Sequence, residues 1–305
     1  MGPVPRYRGG CAPGTERYMK HKGAWLIAAL VSVGPAAHAA GGDPAGPASA
    51  ETAPARARSA LDLAAYRPTY VLPLTYVTGL NRAPFGSQGK TFRNQEMQFQ
   101  LSLRFPVWSH PLGHRNANLV FGYTQRAFWQ AYDRADSSPF RETDHEPELM
   151  VEVHTDYRWL GFRTRIIRAG LDHQSNGQAN PLSRSWNRVF AEVVAQRGDF
   201  AFSFRPWYRI PAPAGSDDNP DITHYMGYAQ FRVGFRHGRD EYTLMFRDNF
   251  NPRDNRGAIR LGWSFPLNER LRGYVQFFNG YGESLIDYNV RVMRIGAGVM
   301  LTNWL

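Results

Sequence analysis

The sequence predicts an all-β fold, a twelve-stranded antiparallel transmembrane β-barrel, and three observations predict it. Aromatic and β-branched runs separated by turn residues fill the chain from about Tyr70 onward, with no amphipathic helix of useful length. The runs number twelve, and single-chain bacterial barrels carry even numbers of strands. Along several runs apolar residues alternate with charged ones, so one face suits lipid and the other a polar interior.

Composition narrows the field before any motif is read. The 305 residues are 43% hydrophobic, 14% aromatic and 20% charged, with a mean hydropathy of −0.47. So many aromatic residues exclude a disordered chain. The polar mean excludes a bundle of membrane helices, each of which needs about 20 mostly apolar residues. A soluble β-rich protein and a membrane barrel both remain open.

The elements follow in order. Residues 19–40 carry the basic Lys20 and Lys22, an apolar stretch from Ala24 to Ala37, and Ala37-His38-Ala39 as an A-x-A cleavage site. Residues 1–39 therefore read as an export signal, with Met19 the plausible true start. Cleavage near Ala39 removes Cys11, the only cysteine, and lowers the net charge from +10 to +6. Nucleic-acid binding is not inferred from that charge. Residues 40–67 are rich in Ala, Pro and Gly and read as a flexible periplasmic leader. The barrel domain, 68–305, contains strands expected at 69–77, 94–107, 117–131, 146–159, 163–175, 185–197, 199–210, 223–237, 240–250, 257–266, 270–280 and 288–304.

Alternation gives these strands two faces. Met293, Ile295, Ala297, Val299 and Leu301 share one side, opposite Arg294, Gly296, Gly298, Met300 and Thr302. Val189, Ala191, Val193 and Ala195 oppose Arg188, Glu192 and Gln196. Trp108, Trp129, Tyr132, Tyr157, Trp159, Trp207, Tyr208 and Trp304 cluster toward segment ends, as interfacial girdles do. The chain ends in apolar Leu305.

Parity makes one stretch unusual. On strand 163–175, Ile167, Ala169 and Leu171 continue into His173 and Ser175, which places two reactive side chains on the lipid face. Asn187 shares its face with Val189 and Val193, and a hairpin centred near Asn180 sets it opposite His173. Asp172 belongs to the other face, toward the lumen. In that arrangement His173 can take the proton of Ser175 as it attacks an ester, while Asn187 orients the ring. An uncharged amide avoids the desolvation cost of a carboxylate facing lipid. On spacing alone, a serine near a histidine is more often structural. Lipid-facing parity weighs against that, because polar residues there need a reason.

The chain resembles the outer membrane phospholipase A family through SSPFRET (137–143), HQSNG (173–177), SRSWNR (183–188), DDNPDIT with YMGY (217–228), and GYGESLIDYN (280–289). The resemblance spans residues 68–305. It implies a Gram-negative outer-membrane barrel with its active site at the outer leaflet and a periplasmic N-terminus. It implies calcium-dependent hydrolysis of acyl esters of phospholipids and lysophospholipids, of A1 and A2 type, switched on by homodimerisation. His173, Ser175 and Asn187 match the family's triad. Ser183 matches a calcium-binding serine, and Ser137 matches the serine that the neighbouring subunit supplies. Gln178 stands where the family commonly has Arg and contributes a backbone carbonyl. Gln174 stands where an acidic residue is expected. Such hydroxyl and carbonyl oxygens suit a hard cation such as Ca2+.

Two positions stay open on residues alone. Gln125 could face the lumen or the lipid; the resemblance implies a lipid-side dimer contact. The run Asp217-Asp218-Asn219-Pro220-Asp221 is a solvated loop or, through Asp218, a second calcium position. His145 and His154 read as interfacial or structural. The competing functions are a passive barrel, with Arg188 and Glu192 lining or blocking its lumen, and a soluble lipase. The lipase lacks support, since no GxSxG pentapeptide occurs and its helices are missing.

Overall fold

A computed structural model describes residues 66–302 apart from 135, 136 and 214. The expected signal and most of the leader, and with them Trp304 and Leu305, lie outside the described residues. Twelve strands form the wall: β1 Thr69–Thr78, β2 Gln95–Ser109, β3 Ala117–Trp129, β4 Phe140–His154, β5 Phe162–Ser175, β6 Ser185–Arg197, β7 Phe200–Ile210, β8 Ala229–His237, β9 Asp240–Asp248, β10 Gly257–Pro266, β11 Arg272–Gly280 and β12 Val292–Thr302. Each pairs antiparallel with the next in sequence, and β1 pairs with β12 to close the sheet. Closure removes the free edges that a membrane would not tolerate. A two-residue strand, Arg158–Trp159, extends the turn before β5.

The turns at one end are short, and two of them need a glycine. Gly198 and Gly238 open the turns 198–199 and 238–239 with φ of 57° and 59°, which the tight primed turns of hairpins demand. At the other end long connections run through 79–94, 211–228 and 281–291. Pro73 sits at a bulge where β1 slips register against β12, so its missing N–H costs no ladder bond.

The expected polarity of the two faces holds. Leu74, Leu101, Phe105, Leu149, Ile167, Leu171, Val193, Leu261 and Ile295 stand exposed on the outside. Arg168, Asp172, Arg188, Glu192, Arg205 and Arg294 are buried within. Ion pairs fill the lumen. Arg188 bridges Glu146 (2.9 Å) and Asp172 (2.8 Å), Arg205 reaches Asp172 (2.8 Å) and Glu148, and Arg168 joins Glu152 (2.7 Å) to Glu192 (2.9 Å). Nearer the long loops, Arg294 holds Glu96 and Glu283 at 2.5 and 2.8 Å, and Arg141 holds Glu96 and Asp287 at 3.0 and 2.8 Å. Removing one member of such a cluster strands a buried charge, at about 3–5 kcal/mol.

Four expectations need correction. The strand placed at 146–159 runs from Phe140 to His154 instead, so it includes part of the SSPFRET segment. Its charged start looked like loop, yet Arg141, Glu142 and Asp144 are buried polar residues of a wall whose core is itself polar. The strand placed at 223–237 begins only at Ala229. Before it, Ile222–Met226 forms one helical turn that buries Ile222 and Met226, and Gly227 ends it at a φ of 71°. The last strand starts at Val292, not 288. Residues 281–291 fold inward instead, leaving Leu285 1% and Ile286 0% exposed; Glu142 and Asp144 accept the backbone N–H groups of Ile286 and Leu285. Trp207 is no girdle residue. It is 8% exposed, packs edge-on against Trp186 and donates to the carbonyl of Gly227.

Candidate active site

The hairpin of β5 and β6 builds the site. Its register sets His173 directly opposite Asn187 and Ser175 opposite Ser185. His173 and Ser175 lie on the outward face that continues from Ile167 and Leu171, and Asn187 is exposed on the same side. His173 Nδ1 and Asn187 Oδ1 are 2.8 Å apart. An amide oxygen only accepts, so Nδ1 carries the proton and Nε2 keeps its lone pair. The ring is thereby held in the tautomer that a general base requires.

Ser175 is the last residue of β5, and the loop after it is tied down by one side chain. Asn176 is buried. Its amide donates to the Leu182 carbonyl (2.8 Å) and to Glu142 (3.2 Å), while its oxygen accepts the N–H groups of Gln178 (3.3 Å) and Arg184 (3.0 Å). Asn219, fully buried, performs a similar service from loop 211–228 by accepting the N–H of Ser185 at 2.9 Å. The sequence reading missed both residues. The Asn-Gly pair at 176–177 was the available signal, because asparagine before glycine marks a turn in which the side chain bonds the backbone.

Loop 211–228 also brings a carboxylate to the site. Ser183 Oγ donates to Asp218 Oδ2 at 2.5 Å, and Asp217 is fixed by Arg209 at 2.6 Å. Tyr288 donates to Asp221 at 2.6 Å; burial first, and the Asp221 carboxylate second, push its phenol above the ordinary value. Ser183 and Asp218 thus present two hard oxygen donors side by side, a donor set that fits calcium. Gln178 lies in the same loop as Ser183. Ser137 is exposed on the β3–β4 connection with a φ of 60°, and among the described residues no hydrogen bond joins it to Gln178 or Ser183. Gln174 points inward and accepts from Trp186 Nε1 at 2.9 Å, so this departure from the expected acidic residue lies away from the His173–Asn187 pair.

Other candidates fall into place. Gln125 shares the outward face of β3 with Phe121 and Tyr123, and sits opposite His145 of β4, whose ring meets the Tyr123 hydroxyl at 2.7 Å. Glu146, Glu148 and Asp172 converge closely enough to hold a metal. Arg67, Arg188 and Arg205 already pair with them, which makes the cluster an ion-pair core.

Comparison with known proteins bears on the family and the fold. A family model described as phospholipase A1 matches residues 48–301. Phospholipase A1 of Klebsiella pneumoniae is 42% identical over 240 residues, which cover 78% of this chain and 82% of the relative. The enzyme of Escherichia coli K12 is 41% identical over 237 residues, 77% of this chain and 80% of the relative. Among solved structures, outer membrane phospholipase A from E. coli superposes with a TM-score of 0.77 at 39% identity, covering 81% of this chain and 95% of that one. A Salmonella typhi outer membrane phospholipase, solved as a dimer with bound calcium, gives 0.75 at 39% identity and covers 83% and 95%.

Proposed function

Because the chain belongs to the phospholipase A1 family, and so is a phospholipid ester hydrolase of the Gram-negative outer membrane, we propose that His173, Ser175 and Asn187 perform the reaction on the barrel's outer face. The observation that carries this reading is the 2.8 Å bond between His173 and Asn187 on a surface otherwise built for lipid. Polar side chains facing lipid are costly, so a hydrogen-bonded pair there marks a functional site by default. With the long loops facing out of the cell and the N-terminus in the periplasm, the site meets the outer leaflet.

In this reading Ser175 Oγ attacks the acyl carbonyl as His173 Nε2 takes its proton. Collapse of the tetrahedral intermediate breaks the bond to the glycerol oxygen, which receives that proton. His173 then activates a water against the acyl-serine, releasing the fatty acid and restoring Ser175. Asn187 keeps the ring aimed throughout. The acyl chain needs no tunnel, because the site opens onto the phase in which the chains already lie. Both A1 and A2 positions, and lysophospholipids, are within the proposal.

Ser183 Oγ, the Gln178 carbonyl, and Ser137 of the partner subunit would hold one calcium ion per site, with Asp218 beside them. When bound, the ion supplies positive charge beside the developing oxyanion, a contribution of about 3 kcal/mol for one donor. The need for a residue from a second copy explains why activity would follow homodimerisation, with Gln125 a contact across the dimer in the bilayer. The S. typhi relative, solved as a dimer with bound calcium, supports a role for calcium and for a second copy.

Fatty-acid release from phospholipid micelles by the folded barrel tests it, with calcium, with chelator and with Ser175→Ala. Release that requires calcium and disappears in the variant is the expected result. Release that survives Ser175→Ala overturns the assignment.

A further inference from the structure

The lumen holds more cations than its carboxylates pair. A cavity of about 100 Å³ lies inside the barrel, lined by seven arginines and one carboxylate, Glu146. Three of those arginines belong to the ion-pair core around Glu146, Glu148 and Asp172. The other four, Arg126, Arg232, Arg247 and Arg260, have no carboxylate within 4 Å among the described residues. The hydrogen-bond acceptors of Arg126, Arg232 and Arg247 are all neutral, with Asp144 and Glu192 attracting Arg126 and Arg232 only from farther away. Arg126 donates to the Glu283 carbonyl (2.8 Å) and the Gln100 amide oxygen (3.1 Å). Arg247 donates to the carbonyls of Tyr281 (2.9 Å) and Gly282 (2.8 Å), and Arg232 donates to the amide oxygen of Gln230 (2.6 Å) once that amide is turned to face it. Arg260 makes no hydrogen bond to a described residue; its guanidinium lies 5.4 Å from the Phe278 ring centre. Arg247 is 8% exposed, and the Nε atoms of Arg247 and Arg260 are buried without partners.

Arg126, Arg247 and Arg260 repel one another across this space, and Arg67 and Arg205 repel Arg232. One small anion relieves that repulsion, and guanidinium forks match the paired oxygens of an oxyanion. At roughly 10–15 Å³ of such space per water, the cavity has room for one tetrahedral oxyanion together with several waters. We propose that this cavity is a binding site for a single inorganic oxyanion of the sulfate or phosphate class, held by Arg126, Arg232, Arg247 and Arg260. Two of its arginines also grip the carbonyls at the start of segment 281–291, so the bound anion braces the plug of the barrel. The site lies within the lumen, behind the wall that carries His173 and Ser175.

The test uses the full barrel refolded into detergent micelles with millimolar sodium sulfate or with sodium chloride of equal ionic strength. Refolding in each anion removes any limit on entry. The unfolding midpoint should rise saturably with sulfate. Arg260→Gln should need at least tenfold more sulfate for the same rise and should keep the wild-type phospholipase rate. No rise, or the same rise in Arg260→Gln, overturns the proposal and leaves only a general salt effect. If Arg260→Gln fails to fold, crystals of the wild type grown in selenate decide the matter. An anomalous peak among the four arginines is the expected result, and its absence refutes the site.

Discussion

Replacing Asn187 with alanine separates orientation of the base from the chemistry itself. The side chain is exposed on the lipid face, and its hydrogen bond runs to His173 at 2.8 Å, so alanine leaves the wall intact. In the resting enzyme that bond joins neutral groups and is worth about 0.5–1.5 kcal/mol. In the transition state the ring carries the serine proton, and the bond becomes charge-assisted, worth about 1.5–3 kcal/mol. The rate feels that difference of about 1–1.5 kcal/mol, plus a similar loss as the ring samples other tautomers and rotamers. Together they predict a fall in kcat of about 30- to 150-fold, at about 1.4 kcal/mol per tenfold, with KM little changed. The assay is fatty-acid release at saturating calcium, alongside Ser175→Ala and a check of folded barrel by circular dichroism. A rate within twofold of wild type would show that Asn187 does not orient His173. A loss as complete as that of Ser175→Ala, in a folded barrel, would give Asn187 a larger role than this reasoning allows.

Three further outcomes follow from the same structure. Asp218→Ala removes the acceptor of Ser183 Oγ at 2.5 Å and should raise half-saturating calcium about 10- to 150-fold, a charged hydrogen bond being worth roughly 1.5–3 kcal/mol; titration of activity with calcium reads it, and kcat at saturation should hold. Arg294→Met strands Glu283 in the lumen, leaves Glu96 to Arg141 alone, and should lower unfolding stability by about 3–5 kcal/mol, read from denaturant midpoints. Ile167→Arg puts a charge on the outward face near the middle of β5 and should cost about 2–4 kcal/mol in lipid, whereas an outward face meeting water would lose almost nothing.

Much of the wall and the His173–Asn187 pairing was legible in the sequence, because both depend on local rules. A strand turns alternate residues to opposite faces, so a single strand's pattern separates Ile167, Leu171, His173 and Ser175 from Arg168 and Asp172. The hairpin around Asn180 then sets the register. Legibility failed where polar residues serve the interior. Phe140–Thr143 looked like loop because a charged strand start is expected in water, and residues 288–291 looked like strand because nothing local says that Leu285 and Ile286 are needed inside. Trp207 could not be told from a girdle tryptophan, since its partners Trp186 and Gly227 come from other segments.

The sequence by itself determined the fold class, the two faces of several strands and the candidate residues His173, Ser175 and Asn187, because period and register are properties of neighbours along the chain. Tertiary structure alone decided which buried charges meet. It joined Asp218 to Ser183 across 35 positions and tied Asn219 to Ser185. It closed the lumen with segment 281–291 and left four arginines facing one cavity. Such contacts depend on how twelve strands close into a ring, and charge pairing in a low-dielectric interior is fixed by that closure rather than by spacing in the chain.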